Sequence, residues 1–291
     1  MRLRLWHAPD GTRVAYRESG TGPAVVLLHS LGLTHRELEP AVEHLDDRFR
    51  VVLPDLPLHG DSEDRPCHPY TPDWFADVTS GFVADVAGPR AIVGGHGLGA
   101  EIALHAVATG RLELDRLVLM PAALHRAPPR GAARATVRAT ARLAAVPGLD
   151  RGLAHAARLA ARPGIGPRLS TRANPAARDL VRHAFADVGG NANLARSWAC
   201  FARRWPPAGR RDVLDSYRHV SAPVLLLWAD ADPQHPLRTA EEAHDVLPRA
   251  LLRVLADTGF LIAYDDPVGV AREIAAFAVA PMSRSGADPR A

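Results

Sequence analysis

The sequence contains no lysine; all 35 of its basic residues are arginine. Together with the abundance of alanine, proline and glycine, this reads as coding bias, so the arginine count is no evidence for a phosphate-binding role. Cysteine is nearly absent too. Cys67 and Cys200 stand alone, with no CxxC or Cys/His ligand spacing, which excludes a disulfide scaffold and a structural zinc site. Two free thiols fit a reducing, cytoplasmic setting. No apolar run approaches the roughly 20 residues of a membrane helix. Met1–Asp10 has two arginines but no apolar stretch behind them, so no signal peptide is expected. Aromatic residues make up only 5% of the chain, and no recognition motif or aromatic platform accompanies the positive charge, so nucleic acid is not an expected partner. HExxH, Walker and GxGxxG-plus-acid patterns are all missing, and with them any argument for a metal, nucleotide or other cofactor.

What is present is a hydrophobic pattern. The 291 residues, 47% of them hydrophobic, suffice for one large domain with an insertion. Arg2–His7 and Thr12–Glu18 flank an Asp10-Gly11 turn and predict a hairpin. Unbroken apolar runs follow at 24–28, 51–53, 91–93, 117–120 and 224–228, and a further run at 251–255 is interrupted by Arg253. Runs without alternation suit strands covered on both faces of a parallel sheet. Helical segments are expected at Arg36–Leu45, Asp73–Val86, Leu98–Ala108, Leu237–Leu247 and Val268–Phe277, so strand alternates with helix as in a doubly wound α/β sheet.

Between Met120 and Pro223 the alternation stops. This Ala- and Arg-rich stretch favours helix and is broken at Pro147-Gly148, at Pro163 to Pro167 and at Gly189-Gly190. It predicts a helical cap at 122–218, set into a core of 1–121 and 219–279, with a disordered tail at 280–291. The cap is electrically distinct: from Ala122 to Arg211, 17 arginines stand against three acids. Arg130, Arg134, Arg138 and Arg142 recur every four residues and would share one helix face. A solvated face and a surface attracting anionic ligands, an acidic carrier protein or anionic lipid are both open readings.

Four ordered segments carry the chemistry. They are Leu27-Leu28-His29-Ser30-Leu31-Gly32, the stretch from Val52 to Ser62 containing Asp55 and His59-Gly60-Asp61-Ser62, Val93-Gly94-Gly95-His96-Gly97-Leu98-Gly99-Ala100, and Pro223 to Pro233 ending in Asp230-Ala231-Asp232-Pro233. In this order they resemble the oxyanion turn, the Asp-x-x-Gly-His-Gly-x-Ser segment, the nucleophile elbow and the acid-bearing loop of the α/β-hydrolase superfamily, of the enol-lactonase or small-ester hydrolase kind. In the second segment, Leu58 replaces the first glycine. The resemblance spans the chain outside the cap and tail. It implies a mostly parallel sheet with an inserted cap and a small-molecule ligand or substrate, possibly anionic.

The resemblance also exposes two departures. Gly95 and Gly99 fit the outer positions of G-x-S-x-G, where a strand turns sharply into a helix, but the central residue is Gly97. Glycine has no hydroxyl, thiol or carboxylate, so no covalent enzyme intermediate can form there. The family's histidine is expected seven residues before the proline that opens the last helix, and counting back from Pro267 lands on Phe260, which transfers no proton. Two departures that remove cooperating groups imply a lost triad.

Other groups persist. Asp232 holds the acid position. If it faced the pocket, Phe260 would desolvate it and raise its pKa towards that of a general base; capping a helix or pairing with an arginine is the competing role. The backbone N–H groups of Leu31 and Leu98 could still form an oxyanion hole at the start of the elbow helix. His29, Ser30, His96 and His235 are possible pocket residues: His96 in a position that usually packs beside the elbow, His235 in a turn stiffened by Pro233 and Pro236, and Ser30 as a substitute nucleophile. Three functions remain open. One is an enzyme that polarises or deprotonates a carbonyl compound without a covalent intermediate, as a lyase, isomerase or cyclase. The second is a ligand-binding or regulatory pseudo-hydrolase. The third is a hydrolase with another nucleophile or an activated water.

Overall fold

A computed structural model describes residues 1–126, 170–204 except 173 and 191, and 210–280, with scattered positions between 131 and 156. The expected disordered tail lies outside the described residues beyond Ala280, as do Arg130, Arg134 and Arg138 of the expected charged helix face. Eight strands form one sheet: β1 (Arg2–His7), β2 (Arg13–Ser19), β3 (Ala24–Leu28), β4 (Arg50–Pro54), β5 (Ile92–Gly95), β6 (Arg116–Leu119), β7 (Val224–Ala229) and β8 (Ala250–Leu255). Their order is β1-β2-β4-β3-β5-β6-β7-β8. The first two neighbour pairs are antiparallel and the rest parallel.

The expected hairpin forms because Gly11 takes φ +83°, a conformation open to glycine, and Asp10 Oδ1 accepts the Thr12 N–H at 2.9 Å. Strands β3 to β7 are almost wholly buried, as continuous apolar runs require when helices cover both faces. Strand β8 departs from that expectation. It lies at the sheet edge, with Leu251 and Val254 exposed.

The helices are α1 (Glu39–Val42), α2 (Pro72–Val86), α3 (Leu98–Ala108), α4 (Pro175–Gly190), α5 (Ala192–Arg204), α6 (Arg210–Ser216), α7 (Leu237–His244), α8 (Ile262–Asp265) and α9 (Pro267–Val279). Thr71 caps α2 by accepting the Trp74 N–H, and Asp266 caps α9 by accepting the Gly269 N–H; each helix has proline in its first turn, where the missing N–H costs nothing. The single helix expected over 36–45 is broken into a 3-10 turn, His35–Glu37, and α1. Pro40 is the reason. Within a continuous helix its ring would collide with the carbonyl four residues back. Helices α4, α5 and α6 lie in the stretch between β6 and β7, where sequence predicted a helical insertion.

The site is placed by β3 and β5, which pair in the sheet centre with Leu28 opposite Gly95. From β3 the chain goes to β4 on one side, and β5 lies on the other, making a switch point whose crevice lies outside the carboxyl ends of these strands. The turns after β3 and β5 meet there at close range. A Cβ on Gly99 would sit 2.4 Å from the Leu28 carbonyl oxygen and 2.6 Å from its carbon, so only glycine lets α3 approach β3 this closely. Gly99→Ala is therefore expected to cost about 3 kcal/mol by overpacking against backbone. A lower urea midpoint with an unchanged m-value would show this, and a loss below about 0.5 kcal/mol would contradict the close approach.

Candidate functional site

The turn from β5 into α3 is the sharpest in the site. Gly97 occupies its corner with φ +51° and ψ −119°, just before Leu98 opens the helix. The corner is pinned by His96 N–H donating to the Leu28 carbonyl, Gly97 N–H to Pro121, and Gly99 N–H to His29 and His96. A side chain at Gly97 would meet strain from its positive φ and a second obstacle as well. Its Cβ would lie 2.5 Å from Ser30 Cβ and 3.3 Å from Ser30 Cα. Ser30 thus fills the space into which a side chain at this corner would project.

Ser30 is itself held by a buried carboxylate that sequence reading did not single out. Glu37, 1% exposed, accepts the Ser30 N–H at 2.6 Å, the Ser30 hydroxyl at 2.9 Å and His96 Nδ1 at 2.6 Å. Burial pushes the Glu37 carboxyl up, but His96 and the Ser30 N–H outweigh that and hold it below the usual glutamate range. Glu37 is therefore an anion that fixes the proton of His96 on Nδ1. The other ring nitrogen of His96, Nε2, is buried and has no hydrogen-bond partner among the described residues. No motif flagged Glu37; it comes into contact only because the 3-10 turn folds back under β3.

The acid loop carries a second histidine–carboxylate pair. Asp232, 5% exposed, accepts the Gln234 N–H at 2.7 Å and His235 Nδ1 at 2.9 Å. The expected rise in its pKa does not occur. Burial does push it upward, but the His235 bond and the Gln234 N–H hold it below the ordinary range, so Asp232 is an anion already committed to a partner. His235 is no simple surface turn: its side chain is 13% exposed. The Phe260 ring lies between the two pairs, 4.6 Å from the His96 ring and 5.5 Å from that of His235, nearly parallel to the latter.

The remaining named residues sort into frame and donors. His29 spends both nitrogens on the backbone, one against the Ser30 carbonyl at 2.8 Å and the other accepting the Leu56 N–H at 2.8 Å, so it supports the turn rather than facing a ligand. His59 does the same between Pro57 and Gly32; burial and the neighbouring His29 push it down to about 3. Asp55, fully buried, receives the His35 N–H and Nδ1 and the Asp61 N–H. By contrast, the N–H groups of Leu31 and Leu98 have no acceptor among the described residues. Leu98 stands at the first position of α3, where the helix dipole adds partial positive charge.

Helices α4 and α5 cover this crevice. Ala177, Leu180, Val181 and Ala184 form one face of α4, packed against Leu33, Phe260 and Leu261 at the spacing of an amphipathic helix. Trp198 of α5 meets the His59 ring edge-on at 4.8 Å. Among the described arginines of this stretch, Arg196 pairs with Asp150 at 2.6 Å, Arg182 with Asp179 at 3.2 Å on the surface, and Arg204 donates to the carbonyls of His68 and Pro69.

Residues 25–273 match the alpha/beta hydrolase family. The chain belongs to that family. A Mycobacterium tuberculosis protein described as uncharacterized is 26% identical over 271 residues, covering 88% of this chain and 75% of its own length. The 2-(acetamidomethylene)succinate hydrolase of Mesorhizobium japonicum is 35% identical, over 92 residues that make up about a third of each protein. Among solved structures, an esterase from Thermogutta terrifontis with malate bound superposes with a TM-score of 0.74 at 23% identity over 95% of this chain and 98% of its own. The enol-lactonase from Burkholderia xenovorans gives 0.71 at 20% identity over 92% and 97%. These two likenesses speak to the fold. No helix among the described residues of this family member is long and apolar enough to cross a membrane.

Asp55 supplies a pH test of the frame. Although burial pushes it up, its bonds to His35 hold its carboxyl at about 2, below the ordinary 3.8. A carboxylate with a depressed folded-state pKa stabilises the fold above its unfolded value, and that contribution is lost as pH falls through the folded one. About 2 kcal/mol should therefore disappear between pH 4 and pH 2. Urea unfolding of wild type and Asp55→Asn should show the gap between them closing over this interval; a constant gap would contradict the assignment.

Proposed function

We propose that this family member acts on a small carbonyl compound by non-covalent acid–base chemistry, as a lyase or isomerase, with its inserted helices serving as a cap. The observation that carries this reading is the corner at Gly97. It offers no nucleophile, Ser30 fills the adjoining space, the Leu31 and Leu98 N–H groups have no acceptor among the described residues, and the Asp232–His235 pair lies across the Phe260 ring from His96. In this reading Gly97 and Phe260 are the positions at which the family's nucleophile and histidine have been replaced. Asp232 then acts through His235: holding Nδ1, it leaves Nε2 to take a proton from the carbon next to the substrate carbonyl. The C–H electron pair moves into a C=C bond and the carbonyl oxygen becomes an enolate, stabilised by the N–H groups of Leu31 and Leu98. The enolate then expels a β-substituent or is reprotonated. Membership of the alpha/beta hydrolase family supports a small-molecule partner.

His235→Ala should lower carbon–deuterium exchange of an enolisable ketone in D2O, followed by NMR, by about 100-fold or more. Asp232→Asn should lower it less, because the imidazole remains. Exchange unchanged in His235→Ala would remove the proposed base.

A second reading, hydrolysis through a substitute nucleophile, is favoured by the Ser30 hydroxyl donating to the Glu37 carboxylate at 2.9 Å. The two readings separate with a fluorophosphonate probe, which reacts with activated serines. No labelling is expected, since the Ser30 hydroxyl is buried and shares Glu37 with two other donors. Stoichiometric labelling at Ser30 would replace the non-covalent mechanism.

A further inference from the structure

Beside Phe260, and apart from the Asp232–His235 pair, lies a group whose bonding is incomplete in a manner that points to a ligand. His96 is 1% exposed, its Nδ1 is committed to Glu37 at 2.6 Å, and its Nε2 has no partner among the described residues. A buried polar atom left unpaired costs about 1–3 kcal/mol, and such orphans call for a specific explanation. The Phe260 ring, 4.6 Å away between ring centres, offers it no hydrogen-bond acceptor or donor. The Glu37 contact sets the polarity of the other nitrogen: with Nδ1 donating to the carboxylate, the neutral form of the ring carries its lone pair on Nε2, which accepts a hydrogen bond.

We propose that His96 Nε2 is a ligand-recognition atom, and that the compound bound in the crevice bears a hydroxyl or enol O–H next to its carbonyl. The O–H donates to His96 Nε2. This deepens the proposed acid–base function by naming its substrate class, and it rests on that reading for the placement of the carbonyl. His96 is then a specificity residue, distinct from the base His235. Glu37 and Ser30 are positioning groups that set its tautomer.

The probes are 3-hydroxybutan-2-one and butan-2-one, which differ by one hydroxyl. In protein carrying ¹⁵N-histidine, long-range ¹H–¹⁵N spectra should show His96 protonated on Nδ1, and 3-hydroxybutan-2-one should shift its Nε2 resonance while butan-2-one leaves it in place. The hydroxyketone should bind at least about 10-fold more tightly, the penalty for leaving one buried acceptor unpaired. His96→Phe should abolish that preference, and His235→Ala should keep it. A proton on Nε2 in the free protein, or an Nε2 resonance unmoved by the hydroxyketone, would overturn the proposal in the wild-type chain, whatever the variants' stability. An intact hydroxyl preference with deuterium exchange unchanged in His235→Ala would instead overturn the acid–base function and leave the recognition role standing.

Discussion

One buried carboxylate, Glu37, joins the two turns on which the site is built. It accepts three hydrogen bonds, two from Ser30 after β3 and one from His96 after β5. A buried charge is tolerated only when its partners compensate for lost hydration, and here the compensation comes from both turns at once. Removing any of these donors would leave the anion short of partners in a low-dielectric setting, where the penalty is largest. The closeness of Ser30 to Gly97, the tautomer of His96 and the position of the Leu31 N–H all follow from this tie.

The close approach has a chemical consequence. The same corner that leaves Gly97 without a side chain also leaves no room for one, because Ser30 Cβ already lies 2.5 Å from where a Cβ would be. The absence of a nucleophile there is thus a property of two turns rather than of one residue. On the opposite side, Phe260 presents its ring to His96 and His235, and Asp232 pairs with His235 three residues on in its own loop. In the proposed reading, the acid of the site has kept a histidine while exchanging which one it holds. A carboxylate that holds an imidazole by Nδ1 lends it basicity at Nε2, which is the property the proposed proton transfer uses. Helix α4 completes the arrangement by packing its apolar face on Phe260, excluding water from the ring that separates the two pairs.

The strand runs, the hairpin, the elbow glycines and the insertion between β6 and β7 were legible in the sequence because each depends on a local pattern. Apolar runs report burial on both faces, Asp10-Gly11 reports a turn, and Gly95 and Gly99 report close backbone approach. The same patterns singled out Gly97 and Phe260 by position alone. Edge placement was only partly legible: Arg253 interrupts the apolar run of β8, but it is the strand order that puts this strand at the edge and exposes Leu251 and Val254. The break at Pro40 was open to local reasoning, yet the apolar periodicity around it suggested one continuous helix.

What tertiary structure alone decided is the pairing of charges. Glu37 and His96 are 59 residues apart in sequence, and no motif predicts their contact. The family resemblance put Asp232 and Phe260 at partner positions, which would raise the pKa of Asp232 if it faced the pocket. The folded loop instead gives it His235 and the Gln234 N–H, and two hydrogen bonds to an anion outweigh its desolvation. His29, equally plausible from sequence as a pocket residue, spends both nitrogens on backbone groups from two different segments. Hydrophobic pattern is written along the chain because each residue reports its own burial. Hydrogen-bond partnership depends on short distances between segments, and those exist only after the sheet has brought the two turns together.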